Sequence, residues 1–90
     1  MSEHPAKDQI FISKLTEIIL ANLGNAEFGV NELVNVAGIS HYSLKRRLQA
    51  ITNKSISQFI REVRLQKALE MLQKEELHVS EVAYKVGFGS

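Results

Sequence analysis

Cysteine is absent from the chain, which removes disulfides, thiolate nucleophiles and cysteine metal sites and agrees with a reducing cytoplasm. Long apolar runs are missing too: none approaches the length needed to span a bilayer, and no signal-peptide pattern appears. A soluble, cytoplasmic protein is the expectation. There is no glycine-rich phosphate loop and no nucleophile motif, and His4, His41 and His78 stand far apart with no second ligand at metal spacing. The carboxylates are scattered over what read as helix surfaces. Nothing nominates a catalytic site, so the expectation is a protein that is not an enzyme and needs no cofactor or metal.

One further absence is local. From Glu32 to Glu62 no carboxylate intervenes, while Lys45, Arg46, Arg47, Lys54 and Arg61 place five positive charges in that interval. The net charge of the whole chain is only +1, because acidic residues at the two ends offset the basic middle. A concentrated basic interval suits a polyanion better than an acidic or neutral partner. With 90 residues and 44% hydrophobic content the chain has room for one small domain and one core.

The stretch Val30 to Thr52 organises the rest. A short apolar-periodic segment containing Leu33, Val36 and Ala37 stops at Gly38, and a second opens at Ser40. Gly38 can take the positive φ that ends a helix, and the Ser40 hydroxyl can cap the first free N–H groups of the next. Two helices joined by so short a turn form a helix-turn-helix, whose second helix can enter a DNA major groove. In that second helix Leu44, Leu48 and Ile51 fall on one stripe at about 100° per residue, and Tyr42, Lys45, Arg46 and Gln49 gather opposite. One face packs and the other stays free.

Around this unit the chain supplies support. Pro5 suits the first turn of a helix, and Phe11, Leu15, Ile18, Ile19 and Leu23 recur at helical spacing until Leu23-Gly24-Asn25 closes the segment. This brace helix is expected to do core packing and nothing else. Phe28 anchors the entry to the Val30–Ala37 helix, with Gly29 as a weak cap. Ser55 caps a long helix in which Phe59, Ile60, Val63, Ala68, Leu69 and Leu72 keep the 3.6 period to about Gln73. On it Arg61, Arg64 and Lys67 form a basic edge, open to a phosphate contact, to solvent, or to pairing with Glu62 and Glu70. Then Val79 to Phe88 repeats Val30 to Ile39 at an offset of 49 residues, with valine, glutamate and glycine recurring identically. A second supporting helix therefore begins, and the sequence stops at Gly89-Ser90, where a second recognition helix is expected.

This arrangement resembles the DNA-binding domain of AraC/XylS-type bacterial transcription regulators. The resemblance rests on Val30 and Leu33, on Gly38-Ile39-Ser40, on Leu44 with Arg46 and Leu48, on Phe59-Ile60-Arg61 with Arg64-Leu65, on Ala68 with Leu72, and on Val82-Ala83 with Gly87-Phe88. The lead-in Asp8, Phe11, Lys14-Leu15 and Asn22 looks most like output domains of hybrid two-component regulators. The resemblance implies an all-α, homeodomain-like helix-turn-helix fold in three parts. Residues 1–54 form the first unit with its brace helix, 55–74 the linker helix, and 78–90 the start of a second unit.

It also implies a double-stranded DNA partner, with RNA polymerase a candidate second one. No small-molecule ligand belongs to this segment, and any oligomerisation runs through regions outside it. Tyr42, Lys45 and Arg46 inherit base reading, with His41 and Gln49 beside them. Arg46 is the first choice, since an arginine can donate twice to guanine O6 and N7, worth about 1–3 kcal/mol of discrimination; a phosphate contact is its alternative, as it is for the Tyr42 hydroxyl. Ser40, Arg47, Lys54, Arg61 and Arg64 are assigned to phosphates. With one reader where the family has two, binding is expected to fall toward the weak non-specific regime of about 10⁻⁴–10⁻⁶ M. Residues from about 78 onward are expected to be loosely held, because Val82, Val86 and Phe88 lack the helix they would pack against. On these grounds the chain reads as a piece of a larger regulator. The rival class is a helical interaction or dimerisation module with no specific DNA binding.

Overall fold

Pro5 opens the first helix, α1 (Pro5–Ala21), in the computed structural model, which describes residues 5–74 and 79–87. A proline at the first helical position gives up an N–H that has no partner there, and Asp8 puts a negative charge in the first turn, where the helix dipole favours it. Leu15 and Ile19 are fully buried, with Phe11, Ile12 and Ile18 packed against the same core. The helix stops two residues before Leu23 because Asn22 turns its side-chain amide onto the Ile18 carbonyl, 2.8 Å away, and a series of tight turns carries the chain to Phe28.

Helix α2 (Val30–Ala37) begins at Gly29, whose N–H donates to the Glu32 carboxylate at 2.8 Å. It buries Leu33 completely and ends at Gly38, which sits in the left-handed region at φ 73°, ψ 20° with its N–H on the Val34 carbonyl. Helix α3 (His41–Thr52) follows after the three-residue turn Gly38-Ile39-Ser40. Its buried residues are Leu44 and Leu48, with Ile51 partly covered, so the expected inward stripe is the one observed. Asn53 ends α3 in the left-handed region at φ 59°, a conformation asparagine tolerates better than most residues.

Helix α4 (Ile56–Lys74) is the longest element. Ser55 caps it reciprocally: its Oγ accepts from the Gln58 N–H at 3.1 Å, and the Gln58 side chain accepts from the Ser55 N–H at 3.4 Å. Ile56, Phe59 and Ile60 face the core shared by α1, α2 and α3. Two residues depart from expectation. Leu69 is exposed, because ten residues after Phe59 the helical turn has carried it off the buried stripe. Arg64, expected on an outer edge, is buried.

Helix α5 (Val79–Lys85) packs on α4. It begins where the repeat places it, at Val79 opposite Val30, and the matched pairs behave alike. Leu33 and Val82 are both buried, and Gly38 and Gly87 both take positive φ, 73° and 89°. The expectation that Val82 and Val86 lack a helix to pack against is corrected. Val82 and Val86 are 1% and 0% exposed, because α4 itself supplies the apolar surface that α5 covers. His4, His78, Phe88 and Gly89-Ser90 lie outside the described residues.

The result is an all-α, homeodomain-like architecture: α2 and α3 as a helix-turn-helix, α1 bracing it, and α4 running from α3 to α5. Among the described residues no helix is long and apolar enough to cross a membrane.

Candidate nucleic-acid interface

The turn between α2 and α3 fixes how α3 is presented. Gly38 reverses the chain without strain, Ile39 tucks partly into the core, and Ser40 at φ −66°, ψ 153° is extended enough to cap rather than continue a helix. The Ser40 Oγ accepts from the Ser43 N–H at 3.1 Å and donates to the Ser43 hydroxyl at 3.0 Å. Its hydroxyl hydrogen is thus already used, and a phosphate at this end of α3 would meet the free backbone N–H groups of the first turn.

Leu44 and Leu48 pin α3 from beneath. With that stripe down, His41, Tyr42, Lys45, Arg46 and Gln49 are all exposed, and Tyr42 leaves 68% of its surface to solvent. The small residues Ser43 and Ala50 lie among them, which keeps part of the outer surface low enough for a base edge to approach. No carboxylate belongs to α3, so nothing on the helix offsets Lys45, Arg46 and Arg47. Gln49 is engaged within the chain, its amide donating to the Asn53 side-chain oxygen at 2.8 Å. Its second N–H and its carbonyl oxygen are not used by that bond.

The residues assigned to phosphates divide. Arg61 is exposed on α4. Lys54 forms an ion pair with Glu62, so part of its charge is answered within the chain. Lys67, on the same basic edge, pairs with Glu70 at 3.5 Å. Arg47 is exposed but turns toward α1, its guanidinium carbon 3.8 Å from the centre of the Phe11 ring.

Arg64 leaves the set altogether. It is 7% exposed, and its Nη2 donates to the Asn25 carbonyl at 2.9 Å and to the Phe28 carbonyl at 3.0 Å. Its Nε is buried with no hydrogen-bond partner among the described residues, and burial pushes the guanidinium below its ordinary pKa. Gly87 lies against it: a Cβ there would stand 2.8 Å from the Arg64 Nε and 2.8 Å from the Leu23 carbonyl oxygen. Arg64 therefore ties the α1–α2 connection to the end of α5 and cannot face a duplex. A signal was present in the sequence, since Arg64 stands four residues after Ile60 on the buried side of α4. The role of Phe11 had no comparable signal, because it depends on how packing against α2 and α4 places α1 beside Arg47.

Among the described residues no group of three or more His, Asp or Glu side chains could hold a metal ion. What the surface of α3 offers is donors, cations and one aromatic on a rigid, convex element, the inventory of a nucleic-acid reader.

Comparison with known proteins agrees with this geometry. The family model described as a helix-turn-helix domain matches residues 33–90, from the middle of α2 onward. Among curated proteins, Histidine kinase P4 of Formosa agariphila is 31% identical over 83 residues, a match that covers 92% of this chain and 6% of that protein. The chain thus spans a small fraction of the length of this relative. No solved structure gives a significant match. A Gly-Ile-Ser turn, a bare basic α3 and the family match over most of the chain lead to one assignment: the chain belongs to the AraC-type helix-turn-helix family of DNA-binding transcription regulators.

Proposed function

We propose that this chain is the DNA-reading output segment of a larger regulator of the two-component kind, and that α3 enters a major groove to read its sequence. The observation that carries the reading is the division of α3 into a buried leucine stripe and a bare face holding Tyr42, Lys45 and Arg46. Arg46 is the base-reading residue of first rank, by bidentate donation to guanine; His41, Tyr42, Lys45 and Gln49 complete the face. Arg47, Lys54 and Arg61, with the α3 N-terminus at Ser40, hold phosphates. The two-component setting is supported by similarity, over most of this chain, to a protein named as a histidine kinase. The repeat of α2 in α5 supports a second helix-turn-helix unit opening at Val79, with the two units taking successive grooves. RNA polymerase is the further partner such a regulator would meet.

Salt titration tests the reading. In fluorescence anisotropy with labelled duplex DNA, three cation–phosphate contacts predict a slope of log affinity against log salt of about −2.7. Absence of binding at low salt would overturn it. The exposed Leu65 and Leu69 on α4 favour the alternative, a helical interaction module. That outcome would appear as self-association in sedimentation with no DNA binding.

A further inference from the structure

Helix α1 was expected to pack and do nothing else, yet one of its side chains touches the reading helix on its outer flank. The Arg47 guanidinium lies over the Phe11 ring with its carbon 3.8 Å from the ring centre, a cation–π stack. Stacking uses the face of the guanidinium. Its N–H donors radiate in the plane, and among the described residues Arg47 makes no side-chain hydrogen bond and no ion pair, so those donors remain available along the edge of the stack.

We infer that Phe11 is a positioning residue for DNA binding: it holds Arg47 so that the edge of the guanidinium meets a backbone phosphate while its face rests on the ring. This rests on the reading of α3 given above and adds to it a part played by α1. An arginine side chain free in solvent samples many rotamers, and ordering it on a phosphate costs affinity. A stack that already exists in the free protein removes much of that cost before DNA arrives. The contact carries no base information, so its effect falls on every sequence alike. Both partners are exposed or half-covered, which sets the size of the effect at about two- to fivefold in affinity, the fold-change that corresponds to a cation–π contact near solvent.

The experiment is a double-mutant cycle on the 90-residue chain, read by anisotropy on mixed-sequence duplex DNA at several salt concentrations. Phe11→Leu is expected to weaken binding about two- to fivefold with the salt slope unchanged, since the charge remains. Phe11→Tyr is expected to keep full affinity. In an Arg47→Ala background, Phe11→Leu is expected to have no further effect. An equal loss in that background would mean that Phe11 acts through the fold alone, and no loss in the parent would mean that the stack does not matter; either overturns the inference. Because Phe11 also borders the core, Arg47→Lys gives an independent arm that leaves Phe11 in place. It keeps the charge but not the planar stack, and is expected to bind as weakly as Phe11→Leu. If it binds like the parent, the stack is not what positions the charge. Failure of the parent chain to bind DNA at all would instead strike the reading of α3.

Discussion

Arg64 is the buried charged residue among those described, and it carries structural consequence accordingly. Its two hydrogen bonds hold the Asn25 and Phe28 carbonyls, and Gly87 closes over its Nε. Replacing it with methionine fills a similar length but takes the donor from the Phe28 carbonyl and leaves the Asn25 carbonyl with the Phe28 N–H alone, at a cost of about 1–3 kcal/mol if the Phe28 carbonyl stays buried. Urea denaturation of Arg64→Met should record that loss, and Arg64→Lys should recover only part of it, because a compact ammonium cannot reproduce the planar fork. Gly87→Ala should destabilise by about 1–3 kcal/mol through its positive φ alone, with steric overlap adding to this. Neither change should alter the affinity of the folded fraction for DNA, as a phosphate contact would require; a selective loss of affinity at unchanged stability would restore Arg64 to the interface. Sequence periodicity marks Arg64 as lying beside Ile60, but charge was the stronger cue and pointed outward. Such a burial becomes legible only when the carbonyls that stabilise it, 39 and 36 residues away, are in view.

The elements themselves were legible because their ends are set by local chemistry. Gly38 ends α2, Ser40 opens α3, and Ser55 with Gln58 opens α4, each by bonds within a few residues of chain. The same locality makes them testable. Ser40→Ala removes the acceptor for the Ser43 N–H and should lower stability by about 0.5–2 kcal/mol, with Ser40→Asp restoring most of it; thermal unfolding by circular dichroism reads both. No change in either variant would mean that α3 does not depend on this cap. What the sequence pattern did not disclose is how elements cover one another. The repeat located α5 correctly, yet its packing on α4 depends on surface that a linear pattern does not reveal. Leu69 was placed in the core because it is apolar and near the period, although α4 turns it outward. The stack of Arg47 on Phe11 belongs to the same class, since it follows from where packing on α2 and α4 places α1.

At the scale of the molecule, a nearly neutral chain presents a basic helix, α3, because its charges are segregated rather than abundant. Among the described residues the acidic ones lie in α1, α2, α4 and α5 and, at Glu27, in the connection between α1 and α2, and α3 has none. The helix-turn-helix is held by one core drawn from α1 to α4, so α3 is presented on a rigid frame. The family match and the bare face of α3 agree on DNA, and we propose that Arg46 on that face reads a base while Arg47 beside it holds the backbone. Selection of bound duplexes from a random-sequence pool tests this most directly, carried out in parallel with the parent chain, Arg46→Ala and Arg47→Ala. The parent should enrich a short motif containing a preferred guanine. Arg46→Ala should lose the preference at that position, and Arg47→Ala should recover the same motif with lower affinity throughout. A motif that survives Arg46→Ala unchanged, or a parent pool no different from the starting one, would contradict the account.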